Sequence, residues 1–170
     1  QNLKTLGVSD EELEDKKIVE VTEDKMDIVL QGTYDEVTDD VIREYIKLPF
    51  VRNIIVSCWK NDKANYYVDD RVEYIRNDYP LTSGTDNRNL QIASSFAGVK
   101  RIKTDLAAKM RTDQKYDYNS MVNMYEYFIK NKIDHQIFVG GIIPNLLFHP
   151  RDHIFWGKTN ELNHLFNIPL

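Results

Sequence analysis

Lys109, Arg111 and Asp113 stand two residues apart in "AAKMRTD", and that spacing is the first sign of chemistry in the chain. Alternate residues of a strand project to one face, so Lys109 and Arg111 turn the same way while Met110 turns the other. Two cations on one side of an internal strand need an anion, because unpaired buried charge is expensive. A phosphate-bearing ligand would supply one. Asp113, at the rigid end of such a strand, can bind a hard cation such as Mg2+, which prefers carboxylate oxygen and often bridges protein to a diphosphate. A solvated turn residue, or a cap for the helix in "YDYNSMVN", is the equally weighted alternative for this acid.

A second polar group closes the chain. "FHPRDHIFWG" offers His149, Arg151, Asp152 and His153. The two histidines are spaced for one helix face, but Pro150 lies between them and spoils a helical zinc pair. The lone Cys58 permits neither an internal disulfide nor a cysteine zinc site, and in "NIIVSCWK" it reads as a small core hydrophobe. The chain has no Gly-x-Ser-x-Gly elbow, no Walker loop and no Gly-x-Gly-x-x-Gly fingerprint.

The elements that must position these groups read as an α/β alternation. Residues 1–25 form a polar lead-in, with "SDEELEDKK" as a short helix capped by Ser9 with Glu12 three positions on. The domain proper, 26–170, begins at "MDIVLQG", whose continuous apolar run ended by Gly32 is typical of a strand buried on both faces. "DEVTDDVIREYIKLPF" carries Val37, Val41, Ile42, Tyr45 and Ile46 at helical spacing. "NIIVSCW" and "RVEYIRN" are strands, and "NDYPLTSGTDNRN" is a turn-rich loop. "NLQIASSFAGVKRI" is a helix, "TDLAAKMR" a buried strand, and "NSMVNMYEYFIKNK" a helix with a core stripe of Met121, Val122, Tyr125 and Phe128. "HQIFVGG" and "DHIFWG" are strand-like, and "KTNELNHLF" is a closing helix. Strands without hairpin turns, separated by helices, predict a mostly parallel central sheet flanked by helices. Ligands of such sheets bind beyond the carboxyl ends of the strands. Those ends offer Gln31, Gly32 and Thr33, then Ser57 and Trp59, then Arg111, Thr112 and Asp113.

Bulk properties narrow the partners. With 170 residues, 42% hydrophobic and 29% charged, the chain suits one globular domain. A net charge of −5 and a pI of about 5.4 argue against nucleic acid, although a local basic pocket for a small polyanion remains compatible. No apolar run approaches the ~18 residues a bilayer requires, and the polar, acidic start does not read as a signal peptide. A cytoplasmic setting is expected, with room for peripheral contact at a membrane face.

"DIVLQGT", "NIIVSCW", "NRNLQIASSFAGVK", "AAKMRTD" and "PRDHIFWGKTNELNHLF" occur in the order, and at about the spacing, of the WavE-type lipopolysaccharide-synthesis proteins. The chain resembles that family from residue 27 to 167, most specifically in Lys-x-Arg-Thr-Asp combined with Asn-Leu-Gln-Ile-Ala-Ser. Members run longer, so a C-terminal portion is expected to be missing. The resemblance implies a single GT-A-like, Rossmann-like domain, with a nucleotide half at 26–113 and an acceptor-side half at 114–170. It implies a glycosyltransferase that takes a nucleotide-sugar donor, a glycan or glycolipid acceptor, and Mn2+ or Mg2+. Gln31, Gly32 and Thr33 would border base and ribose, beside Ser57. Trp59 would stack there or pack in the core. Asn87, Arg88 and Gln91 would hold ribose or phosphate oxygens, Lys109 and Arg111 would face the diphosphate, and Asp113 would bind the metal. Arg111 stands where such enzymes keep the first acid of Asp-x-Asp, which leaves one carboxylate. Asp152 would be the general base, or a cap or partner for Arg151, and His153 its orienter or a second metal ligand. A non-catalytic sugar- or nucleotide-binding module is the alternative. A nucleotidyltransferase is a third reading, for which Gly32 alone makes a poor phosphate loop.

Overall fold

The computed structural model describes residues 24–62, 66–131, 136–141 and 152–169. The expected lead-in helix around Ser9, together with His149 and Arg151, lies outside the described residues.

Six strands form one sheet: β1 (Met26–Gln31), β2 (Val51–Trp59), β3 (Val72–Asn77), β4 (Leu106–Arg111), β5 (Ile137–Val139) and β6 (Ile154–Lys158). Four described α-helices accompany them: α1 (Glu36–Tyr45), α2 (Arg88–Val99), α3 (Tyr118–Asn131) and α4 (Thr159–Phe166), with a 3-10 turn at Thr85–Asn87 leading into α2. The strand order is β3-β2-β1-β4-β6-β5, with β1 to β4 mutually parallel and β6 antiparallel to both its neighbours. The α/β class expected from the alternation is the one observed.

Sequence accounts for the elements locally. Every residue of β1 is buried because helices cover both faces of the sheet. Asp35 starts α1 through a capping box with Thr38, each side chain accepting from the other's backbone N–H at 3.1 Å. One sheet face packs Ile28, Leu30, Val56 and Met110 against Val41 and Ile42 of α1 and Met121, Val122 and Tyr125 of α3. The other packs Val29, Ile55, Ala107 and Phe155 against Val99 of α2 and Leu162 and Phe166 of α4. Odd-numbered residues of β4 therefore share a face with Val29, and even-numbered ones share a face with Leu30.

Two features aim the sheet at a site. The chain steps from β1 outward to β2 and β3, then returns to place β4 on the other flank of β1. That reversal leaves a crevice at the carboxyl ends of β1 and β4. Second, α2 lies tight on the sheet. A Cβ on Gly98 would stand 2.4 Å from Val29 Cγ1, and Ser57 Oγ donates to Ser94 O at 2.7 Å. Arg88 lies ten residues before Gly98, roughly 15 Å along the axis at ~1.5 Å per residue, so the first turn of α2 lies beyond the strand ends.

Candidate functional site

Register brings the strand-end residues together. Gln31 pairs with Ser57 across β1–β2 and with Arg111 across β1–β4, so the three lie side by side at the reversal of strand order. The loops that follow are stitched to one another. Thr112 N donates to Gln31 O at 3.0 Å and Thr112 Oγ1 to Thr33 O at 2.7 Å, while Gly32 N donates to Ser57 O at 3.2 Å. Gly32 adopts φ 137°, and a Cβ there would stand 2.7 Å from Thr112 Oγ1. Only glycine suits both the dihedral and the close approach.

Arg111 is the centre of the cluster. Its Nε and Nη2 donate to the two carboxylate oxygens of Asp113 at 2.8 and 2.5 Å, and Nη1 reaches Asp152 Oδ2 at 3.3 Å. This guanidinium holds the Asp113 carboxyl below the usual carboxylate range, and the two acids in turn stabilise the guanidinium charge. His153 Nε2 lies 4.0 Å from Asp152 Oδ1. The Arg111 side chain is about one-third exposed, so the cluster is reachable from solvent.

Lys109, expected on a buried strand facing the diphosphate, is buried as that strand position requires, and its ammonium is directed at groups of this chain. It is 1% exposed. Its Nζ donates to Asp152 O at 2.8 Å and lies over the rings of Phe155 and Phe166, at 5.4 and 5.8 Å from their centroids. Burial pulls its pKa down to about 8, against the opposing pull of the Asp152 charge. Lys109 and Arg111 do share a face, as the alternation required, but the partners they meet are groups of this chain.

Ser57, Trp59 and Gln31 are likewise withdrawn from solvent, whereas the residues at the mouth of α2 are not. Ser57 is buried, donating to Ser94 and accepting from Asn77 Nδ2 at 2.9 Å. Trp59 is 3% exposed, its ring stacked on Tyr79 with centroids 4.6 Å apart and planes 13° from parallel. Gln31 is also buried, and its Oε1 has no hydrogen-bond partner among the described residues. At the mouth of α2, Asn87 is left-handed with φ 59° and makes no side-chain cap. Arg88 is exposed, 3.8 Å from Asp86, and Gln91 is half-buried at the start of the second turn.

The donor set does not present a metal site as it stands. Both oxygens of Asp113 accept from Arg111, a cation already sits between Asp113 and Asp152, and among the described residues no group of three or more His, Cys, Asp or Glu could hold an ion.

Some supporting residues were not singled out from sequence. Asp62 Oδ2 accepts from Trp59 N and Tyr34 N, both at 2.9 Å, and so ties the ends of β1 and β2 together. Asn77 secures β3 to β2 through Cys58 O at 2.9 Å. Asn89 Nδ2 donates to Thr82 O and Oγ1 at 3.2 and 3.0 Å, closing the loop that enters α2. An Asp or Asn just past an apolar strand is the sequence signal for such roles, but it does not say which backbone group will be met. An apolar cavity of about 410 Å³, lined by Met124, Tyr127, Phe128, Phe138, Ile154 and Trp156 among others, lies between α3 and β6, on the sheet face opposite Phe155 and Lys109.

Comparison with known proteins gives a family and a fold. The family model described as WavE lipopolysaccharide synthesis matches residues 33–170. No curated protein matches. Among solved structures, the chain is similar to 4-diphosphocytidyl-2C-methyl-D-erythritol synthase from Anaerococcus prevotii, with 9% identity, TM-score 0.54, and 86% of this chain and 78% of that chain covered. It is similar to 2-C-methyl-D-erythritol 4-phosphate cytidylyltransferase from Francisella tularensis, with 13% identity, TM-score 0.53, and coverage of 84% and 76%. A third likeness is to HddC from Yersinia pseudotuberculosis, with 15% identity, TM-score 0.50, and coverage of 82% and 79%. At such identities the likeness is one of fold.

Proposed function

The chain belongs to the WavE lipopolysaccharide synthesis family, and from that premise we propose that it is a glycosyltransferase moving a sugar from a nucleotide-sugar donor to a glycan or lipid-linked glycan acceptor. One observation carries the reading. Gln31, Ser57 and Arg111 share a register at the reversal of strand order, with Asp113 and Asp152 both drawn to Arg111. In a parallel sheet that is where a ligand is held.

The proposed division of labour follows from the contacts. The donor lies across the ends of β1 and β2, in the half spanning 26–113, with its diphosphate against the outer N–H groups of Arg111 and near Asn87, Arg88 and Gln91. Arg111 has five N–H donors and directs three of them at Asp113 and Asp152, which leaves two for phosphate oxygens. As the bond from anomeric carbon to phosphate oxygen breaks, its electron pair stays on the leaving diphosphate, whose charge the guanidinium stabilises. The acceptor hydroxyl, on the side of 114–170, forms the new bond to that carbon and gives its proton to the Asp152 carboxylate. A single displacement of this kind inverts the anomeric centre. Lys109 holds Asp152 by its backbone carbonyl, and His153 flanks its side chain. No step is assigned to Mn2+ or Mg2+, because Arg111 already fills the space between the two acids. No described helix is long and apolar enough to cross a membrane, and the proposed place of work is the cytoplasm, with room for peripheral contact at a membrane face.

The Arg111–Asp113 lock also favours a second reading, a binding module that keeps the fold without turnover. Incubation with a panel of nucleotide sugars, reading release of nucleoside diphosphate as the sugar passes to water or to an added glycan acceptor, separates the two. Release that falls by about 10²–10⁴ in Asp152→Asn is expected for the transferase, the usual contribution of a general base. Binding without release identifies the module. If no nucleotide sugar raises the melting temperature at millimolar concentration, both readings are abandoned.

A further inference from the structure

We propose that Tyr79, rather than Trp59, is the platform on which the donor's nucleobase stacks. This rests on the nucleotide-sugar reading above and specifies where the base half of that donor lies.

Tyr79 has the exposure and the backing that a platform requires. Trp59 is 3% exposed and lies under the Tyr79 ring, nearly parallel to it at 4.6 Å. Tyr79 itself is 50% exposed. With one ring face covered by Trp59, its accessible surface is the opposite face and the edge. A tyrosine stacked on a buried indole has little freedom to tilt, so that outer face is already oriented before any ligand arrives. Pro80 adds to this by confining Tyr79 to extended backbone. The flanks of the loop are also secured. On one side Asn77 is held to Ser57 Oγ and Cys58 O, and on the other Asn89 is held to Thr82, with Asn89 N donating to Ser83 O at 3.0 Å.

Strand order supplies direction and distance. Along the carboxyl edge the sequence is Tyr79 past β3, Trp59 at the end of β2, Gln31 at the end of β1 and Arg111 at the end of β4. Three inter-strand steps of ~4.8 Å separate β3 from β4, roughly 14 Å in all. That span suits a nucleoside diphosphate with its base on Tyr79 and its phosphates at Arg111. The opposite orientation would put the base towards β6, where Asp152 and His153 present charge and hydrogen-bonding groups instead of an aromatic face. The base therefore goes to the β3 side and the transferred sugar to the β6 side.

Calorimetric titration of the full chain with UDP, GDP, CDP and ADP, and with inorganic pyrophosphate, tests this. Y79A is expected to weaken the best nucleoside diphosphate about tenfold, within the usual worth of base–aromatic stacking, and to leave pyrophosphate unchanged. Y79F should bind like the wild type. Y79L keeps an apolar cover over Trp59 but removes the π face, so it should behave like Y79A. If Y79L binds nucleoside diphosphates as well as the wild type does, or if Y79A weakens pyrophosphate equally, Tyr79 is cover alone and the proposal fails while the phosphate site stands. If the wild type binds neither nucleotides nor pyrophosphate, the glycosyltransferase reading fails, and the platform with it.

Discussion

Arg111 carries more of the site's electrostatics than any other single residue. Its side chain donates to Asp113 twice and to Asp152 once, and its planar fork is what permits contact with both acids. A lysine ammonium offers a point charge and cannot hold two carboxylates in that geometry. Arg111→Lys is therefore expected to weaken nucleoside diphosphate binding by roughly tenfold or more, since hydrogen bonds to charged groups are worth about 1.5–3 kcal/mol. Because the guanidinium occupies the space between the acids, chelation should leave wild-type affinity within about twofold in the same calorimetric titration. A large gain on adding Mn2+ would show instead that Arg111 swings aside for a metal. The sequence reveals this residue's type and side of the strand. It does not reveal that Arg111 answers Asp152, 41 residues away.

At the scale of elements, α2 decides how far the mouth of the site opens. Its close seat on the sheet depends on Gly98, which leaves room for Val29 and Ser57. Gly98→Ala would drive a methyl into Val29 Cγ1 and is expected to cost roughly 1–3 kcal/mol, the usual range for overpacking. Val29→Ala should recover part of that cost, so the double variant should unfold in urea at a higher concentration than additivity allows. Strict additivity would mean that the contact does not govern the packing. The strands and α-helices are legible in the sequence, because apolar runs of strand length and 3.6-residue stripes are local consequences of what must be buried, whereas the 3-10 turn Thr85–Asn87 falls in the stretch read as loop. The tight seat of α2 was not, because a glycine within a helix looks the same in sequence whether or not a strand approaches it.

For the molecule as a whole, the buried cation Lys109 sets a distinctive dependence of stability on pH. Its folded pKa of about 8 lies below the 10.5 of the unfolded chain. Between those values the unfolded state binds more protons, so this group makes stability rise with pH across the window, by roughly 3 kcal/mol. The wild type minus Lys109→Met difference in unfolding free energy should show that rise, and a flat difference from pH 8 upward would refute it. Sequence alone determined the α/β class, the strand ends and the shared face of Lys109 and Arg111, because alternation and burial are written within a few neighbouring residues. Tertiary structure alone decided that Gln31 lies between Ser57 and Arg111, that Asp62 ties β1 to β2, and that Tyr79 covers Trp59. Those meetings depend on which strands the crossovers make neighbours. A segment's own pattern of apolar and polar residues says that it must pair, and carries no record of its partner.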